Sequence, residues 1–413
     1  NKIIMKSFFY TIIGLVLFTI LYSCSTDLDG LEENTRQPIS QHEVEEHKIT
    51  ETKATDIANN FFKETRGGSP LSVNYIVNNE NGTTRSTATT DTLAYIFNRG
   101  ENDGFIIVAT DDRVFPILAF SEDGHFSYEE DYNDIVYANF VSLIDDYMAT
   151  IEDGDTAVIV PQDFPQTCIS ILPKLAKSWH QKYPYNKYVI QEHPGCPVGC
   201  VALAAGQAMT YGKDFLEYHD STYVLHAIRT AFKESLNFEG PTLNATKRTV
   251  SANTRIIGGL NPTKYTYIEA VDKVARMLYW IGKDVDMEYH PSGSGSYSSK
   301  AYDLLEELDY NVKPITPFID STAMRLIMND YIIYTFGTDD NKRTSHAWII
   351  DGGYFCWEDS NKEIIGKPFF HCDWGWGGDS NGYYSTQVIS YLETAMPTDK
   401  YFWRRLYYFA VGR

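Results

Sequence analysis

The chain has 413 residues, 43% of them hydrophobic and 14% aromatic, and a formal net charge of −20. It carries enough apolar material for a real core and more length than one core usually serves, so roughly two to three units of about 100–200 residues are expected. The charge is uneven, with 27 acids against 8 bases over residues 25–160 and 28 against 25 over residues 161–413, and such a surface excludes nucleic acid as a partner, since phosphate binding needs a basic face. Tyrosine alone accounts for 30 residues, which favours sheet surfaces and extended-ligand clefts over helical bundles.

Residues 1–24 read as an export signal: Met5-Lys6-Ser7, an apolar run from Phe8 to Leu21, then Tyr22-Ser23-Cys24. The run is short for a membrane span of about 20 residues. Cys24 resembles the lipobox cysteine of bacterial lipoproteins, and the acidic tether over residues 25–48 follows it. The expected location is therefore the bacterial cell envelope or surface, with membrane attachment through an N-terminal lipid and release once the chain is cut behind it.

Residues 49–160 read as a small α+β domain. Ile49, Ile57, Phe61 and Phe62 fall near one face of a helix that Gly67-Gly68 ends. Two β-rich runs, Leu93 to Phe97 and Phe105 to Ala109, flank a turn-rich connection in the manner of a hairpin. A strand at 116–120 and a helix at about 134–152 complete the unit. Residues 153–166, with Gly154, Pro161 and Pro165 among acids, read as an exposed linker and a processing region.

Residues 161–413 place helical patterns first, at about 200–211, 267–283, 301–310 and 320–329. Strands follow at 331–336, 346–351, 368–372, 382–385 and 406–411. Helices before strands predict an α+β domain with a cleft between a helical half and an antiparallel sheet half.

The chemistry centres on Cys200 and His346. A thiol becomes a nucleophile beside an imidazole that a third polar group orients. Gly199 permits a tight entry into a helix starting near Cys200, whose macrodipole favours a thiolate and whose first N–H groups suit an oxyanion. Local context alone also fits Cys200, among Val201, Ala202 and Leu203, as a buried small hydrophobe. Five cysteines follow Cys24, so in an exported chain at least one thiol stays unpaired. Whether Cys168, Cys196, Cys356 and Cys372 pair is left open. Cys196 is the rival nucleophile, but Pro197 disfavours a helix start there. His180, His193 and His371 are the other imidazoles considered. Either Asp373 or Trp374 can complete the site, the carboxylate by fixing a tautomer, the indole by shielding its hydrogen bond. Ser292, Gly293 and Ser294 sit in a Ser/Gly loop that reads as a cleft edge. No metal or other cofactor is expected, because Cys196 and Cys200 have no second closely spaced pair.

The motifs Pro184-Tyr185-Asn186, Gly199-Cys200-Val201-Ala202, Val285-Asp286-Met287, His346-Ala347 with Ile350-Asp351-Gly352, and Trp374-Gly375-Trp376-Gly377-Gly378 resemble those of the streptopain-type bacterial cysteine proteases. The resemblance spans about 184–384, and Gly104 to Ala109 with Asp111-Asp112-Arg113 extends it into the family's propeptide. It implies a papain-like fold behind an inhibitory prodomain and endopeptidase action on protein or peptide substrates. It also implies Cys200 as nucleophile, His346 as general base and later acid, and Trp374 and Trp376 as the wall around the histidine. Two departures stand out. Asp373 occupies a position where the family carries Asn, so a raised histidine pKa and a shifted pH profile are expected. Pro194 stands where an oxyanion glutamine is expected, with Gln191 the nearest substitute. Gly199 and Val201 are placed at the cleft beside the thiol. An inert surface-binding lipoprotein and a thioester-forming acyltransferase or transglutaminase-like enzyme are the alternatives.

Overall fold

The computed structural model describes residues 47–63, 70–77, 84–85, 92–112, 116–126, 167–175, 179–234, 245–247, 264–338, 344–357, 368–386 and 405–413. The signal segment with Cys24, the tether up to residue 46, the helix expected at 134–152 and the linker at 153–166 lie outside these residues.

The first amphipathic run folds as α1 (Glu51–Lys63). Ala54, Ala58, Phe61 and Phe62 recur at helical spacing and are buried. They pack on an antiparallel sheet of β1 (Leu71–Val77), β2 (Thr84–Arg85), β3 (Thr92–Arg99), β4 (Phe105–Ala109) and β5 (Ile117–Ser121). β3 and β4 form the expected hairpin, in register from Asn98↔Phe105 to Ala94↔Ala109. Both faces of β3 and β4 are covered, so their side chains are buried throughout, apart from the partly exposed first residue of β3.

The rest of the chain supplies β6 (Thr167–Ile171), α2 (Val189–Glu192), α3 (Cys200–Gly212), the hairpin β7 (Phe215–Tyr218) and β8 (Ser221–Val224), α4 (Leu225–Glu234) and β9 (Ala245–Lys247). After these come α5 (Tyr267–Asp284), α6 (Ser298–Glu307), β10 (Asn311–Val312), β11 (Thr316–Pro317) and α7 (Asp320–Met328). The strands β12 (Tyr331–Thr338), β13 (Thr344–Trp357), β14 (Phe369–Asp373), β15 (Gly382–Ser385) and β16 (Arg405–Gly412) close the chain. α3 is apolar on every side because it is buried from Cys200 to Tyr211. It sits between α4, α5 and α6 on one side and β12, β13 and β16 on the other. α5 starts at a capping box, in which Thr266 Oγ1 accepts from Glu269 N and Glu269 Oε2 accepts from Thr266 N.

One sheet runs through the molecule in the order β10-β16-β12-β13-β14-β15-β5-β4-β3-β1-β2. β15 pairs with β5 through Tyr383↔Phe120 and Tyr384↔Ala119, so the N-terminal sheet continues the C-terminal one. The Phe120 and Tyr383 rings stack across that joint, with centroids 5.2 Å apart. The expected helix at 301–310 begins earlier, at Ser298, where the buried hydroxyl meets Tyr334 Oη at 3.2 Å. β1, β6, α4 and the β7–β8 hairpin had no counterpart in the sequence reading. Their pairing partners lie elsewhere in the chain or their runs are short, so local periodicity carries little signal.

Candidate active site

Gly199 is the N-cap of α3 at φ 91°, in the region that favours glycine. A Cβ there would stand 2.7 Å from Met287 Sδ and 3.0 Å from Ser294 O. The small residue thus lets the loop before Cys200 close against the Val285-Asp286-Met287 turn and the Ser/Gly loop. Ser294 Oγ donates to Pro197 O at 2.8 Å from the other side. Ser292 and Gly293 are exposed, and Ser292 pairs with His290 Nδ1 at 2.7 Å. The loop therefore braces residues 197–199 through Ser294, while its tip stays in solvent.

Cys200 opens α3 as a buried free thiol. The backbone of Ala347, of Val201 and of Cys200 itself lies near enough to its sulfur to favour the thiolate. That proximity to Ala347 brings the thiol to the strand position next to His346. Burial pushes the thiol pKa up, and these backbone groups only partly offset it. The thiolate is thus not favoured in this state: burial outweighs the nearby backbone groups. Val201 departs from its expected place at the cleft, since its side chain is fully buried and only its backbone faces the thiol.

His346 lies on β13 opposite Gly337. Its ring stacks between indoles, 5.5 Å from Trp376, 5.9 Å from Trp348 and 6.3 Å from Trp374. A hydrogen bond to the Trp374 backbone favours the charged ring, but burial dominates and lowers its pKa to about 4.

The turn after β14 makes this wall. Trp374 N donates to Asn381 Oδ1 at 3.0 Å and Trp374 Nε1 to Ser380 O at 3.1 Å. Gly375 has φ 78°, and a Cβ on it would meet Leu203 Cδ2 at 2.5 Å, so the turn lies directly on the helix that Cys200 opens. Asp373 is not placed as the expected carboxylate partner of the imidazole. Its oxygens accept from Gln207 Nε2 at 3.0 Å and Gly375 N at 3.1 Å, while the ring of His346 is held by the backbone one residue later. The expected rise in histidine pKa is accordingly replaced by a fall. Burial raises the Asp373 pKa to about 7, with nearby Asp351 adding to it.

Gln191, the expected oxyanion donor, is exposed, and its amide donates to Lys187 O at 3.3 Å on its own turn. The backbone N–H groups at the start of α3 are the donors that face the thiol. Of the other imidazoles, His180 lies against the Gly/Trp turn, its backbone bridged to Trp376, and the remaining two are engaged away from the thiol. His180 accepts from Lys182 N at 2.8 Å, His193 stacks on Tyr289 at 4.4 Å, and His371 Nδ1 pairs with Asp351 Oδ1 at 2.7 Å.

Gln207 was not singled out from the sequence. It is buried two helical turns beyond Cys200. A lone amide in an otherwise apolar helical run is the signal that marks it, because a buried amide needs a partner.

The Peptidase C10 family matches residues 179–384, and the Spi protease inhibitor family matches residues 46–151. A thiol protease/hemagglutinin, PrtT, of Porphyromonas gingivalis is 25% identical over 382 residues, which cover 83% of this chain. The match spans only 39% of the length of that relative. A streptopain of Streptococcus pyogenes is 27% identical over 326 residues, covering 72% of this chain and 74% of its own. In fold, the chain is similar to a prointerpain A fragment of Prevotella intermedia. That likeness has a TM-score of 0.51 and 18% identity, and covers 78% of this chain and 96% of that one.

Proposed function

We infer that this chain, which belongs to the peptidase C10 family of cysteine peptidases and carries a Spi-type inhibitor segment ahead of it, cleaves internal peptide bonds with Cys200 as nucleophile and His346 as base. The observation that carries the reading is the contact of the Cys200 sulfur with the backbone of Ala347, beside an imidazole walled by Trp348, Trp374 and Trp376.

In this reading His346 takes the thiol proton and the thiolate attacks the scissile carbonyl. Backbone N–H groups of Cys200 and Val201 meet the developing oxyanion. The imidazolium then protonates the leaving amine, and water hydrolyses the thioester with His346 again as base. The indoles exclude water from the ring, and the Trp374 backbone holds its tautomer. Asp373 acts on the ring through the turn it stabilises.

Residues 49–160 are assigned as the inhibitory prodomain and residues 161–413 as the catalytic domain. The neutral thiol and imidazole of the present state suit a zymogen. Export to the cell envelope, with Cys24 as the lipid-bearing residue, belongs to the same reading and rests on the N-terminal sequence. Substrates are proteins or peptides, and the prodomain is the intramolecular partner.

The test is a casein digest by the chain lacking residues 1–24, with and without a thiol-alkylating epoxide, followed by mass spectrometry of substrate and enzyme. Casein fragments lost on alkylation of Cys200 are expected. An intact substrate with Cys200 unreactive after the prodomain is removed overturns the reading. Amine incorporation in place of cleavage points to acyl transfer.

A further inference from the structure

Tyr334 stands behind the thiol. It lies on β12, directly opposite Ile349 of β13, and its side chain is fully buried in the core that α3 shares with the sheet. Its hydroxyl donates to Val201 O at 3.4 Å, in the first turn of α3, and meets Ser298 Oγ at 3.2 Å, in the first turn of α6. With the phenol proton directed to Val201, the serine is the donor in the second contact. We propose that Tyr334 is a positioning residue for Cys200: its hydroxyl, held between Ser298 and Val201, sets the place of the first turn of α3 against the strand that carries His346. The proposal rests on the reading of Cys200 and His346 as nucleophile and base.

The ring fixes the hydroxyl. Tyr334 stacks on Phe409 with centroids 4.4 Å apart and planes at 14°, so the phenol cannot swing aside. Both hydroxyl contacts are longer than the ordinary O–H···O bond of about 2.5–3.0 Å, and it is the stacked ring, more than either bond, that decides where the oxygen stands. Burial holds the proton on the phenol, and a charged Cys200 lies near enough to act in the same direction. The hydroxyl therefore remains a donor close to the sulfur.

One loop reaches Cys200 from both sides. Ser294 Oγ donates to Pro197 O at 2.8 Å, ahead of the thiol, and Ser298 reaches Val201, behind it, through Tyr334. Between them Ser296 Oγ donates to Val285 O, which seats the run on the end of α5. Pro197 and Val201 bracket the residue that must be placed, and a displacement of about 1 Å at such a residue costs on the order of a hundredfold in rate. The backbone N–H groups assigned to the oxyanion move with the same turn.

A buried phenol needs partners whatever its role, and Tyr310 supplies the comparison. It is also buried, and its hydroxyl donates to Met209 O at 3.1 Å, near the other end of α3. Removing either hydroxyl deletes a phenol-to-carbonyl bond on the same helix. Of the two, Tyr334 is the one beside Cys200.

Tyr334→Phe, Ser298→Ala, their double variant and Tyr310→Phe are made as whole chains and processed by limited digestion with a serine protease that is then inhibited. kcat and KM are measured on a peptide substrate, and thermal unfolding reports stability. Alkylation of Cys200 by iodoacetamide is followed from about pH 5 to 9, because its rate reports the thiolate. Tyr334→Phe should lower kcat on the order of tenfold with KM little changed, the signature of a misplaced reacting group. The rise of its alkylation rate should also move to higher pH, since a displaced thiol pairs less well with the imidazolium. Ser298→Ala should change both readouts in the same direction, and the double variant should be no worse than Tyr334→Phe, because the two hydroxyls act as one unit. Tyr310→Phe should lower the unfolding temperature and leave kcat and the alkylation profile at wild-type values. Should Tyr334→Phe fail to fold, Ser298→Ala decides by the same readouts. Wild-type kcat and an unmoved alkylation profile in these variants, whatever happens to stability, make Tyr334 a core residue only and overturn the proposal. If the processed wild-type chain cuts no peptide while the Cys200 profile still shifts in Tyr334→Phe, the endopeptidase reading fails and the positioning role stands.

Discussion

Gln207 donates its Nε2 to Asp373 Oδ2 across 3.0 Å, which ties the helix begun by Cys200 to the turn that holds His346. Cys200 and His346, the proposed nucleophile and base, sit on opposite halves of the domain, and a fixed amide between those halves sets their separation. Gln207→Leu should lower kcat on the order of tenfold to a hundredfold with little change in KM, the cost of a slightly misplaced pair. Gln207→Glu is the sharper probe. Below about pH 7, where Asp373 holds its proton, the two carboxyls can share one, and activity should survive. Above it they repel, and activity should fall. A pH profile of kcat that does not change shape in Gln207→Glu removes Gln207 from the positioning role.

Asp373 and His346 oppose each other in their effect on stability. His346 has a folded pKa of about 4 against an ordinary 6.5, so between those values the unfolded chain binds the extra proton and stability rises with pH. Asp373 has a folded pKa of about 7 against an ordinary 3.8, so between those values the folded chain binds the extra proton and stability falls with pH. Asp373→Asn removes the falling contribution. The slope of unfolding free energy between about pH 4 and 6.5 should become more positive by about one proton. Urea titrations at several pH values measure it, and an unchanged slope contradicts the buried, protonated carboxyl.

Burial raises the Cys200 pKa and lowers that of His346, so the form described here carries little thiolate at neutral pH. Alkylation of Cys200 by iodoacetamide at pH 7 should be on the order of tenfold or more slower in the full-length protein than after processing, because the thiolate is the reacting species. The rate in the full-length protein should climb with pH. Equal rates in both forms would mean that the prodomain-bearing chain already holds a working ion pair.

Gly199→Ala and Gly195→Ala separate backbone strain from collision. Both positions have positive φ, 91° and 78°, but a Cβ at Gly195 meets nothing within 4 Å. Each substitution should cost about 1–3 kcal/mol for its backbone. Gly199→Ala should cost more and abolish activity, because Met287 and the Ser294 backbone occupy the added carbon's place. Thermal unfolding of the two variants checks the difference.

Asp351→Ala should be among the most damaging substitutions away from the thiol. The carboxylate is 1% exposed and meets His371 Nδ1, Lys174 N and Leu175 N together. Removing it strands a buried imidazole and two backbone donors, at a cost of about 3–5 kcal/mol. Hydrogen exchange should show β6 losing protection before β12 does, whereas uniform loss would contradict a local anchoring role.

The spacing of Cys200, His346 and the Gly/Trp turn was legible because each carries its own local signature. α3 was legible because a helix buried on every side is apolar along most of its length. The Gln207–Asp373 contact was not, since its two ends lie 166 residues apart and neither has a distinctive neighbourhood. β6 was missed for a similar reason: a five-residue strand earns its place only from partners near residue 355 and at 245–247. Gln191 looked suitable by residue type, but its position on α2 spends the amide on Lys187. The burial that raises the Cys200 pKa was not legible either, because it comes from packing partners far along the chain.

The joint between β15 and β5 gives maturation a colloidal side. While the prodomain stays in place, β15 is an interior strand whose two edges are both paired. Once β5 leaves, a four-residue edge at Gly382–Ser385 is open to water, and Tyr354, Phe369 and Tyr383 lose the aromatic cover of Phe120. Short edges resist strand-to-strand aggregation better than long ones, so the brevity of β15 keeps a freshly activated molecule dispersed at the moment its surface becomes more adhesive.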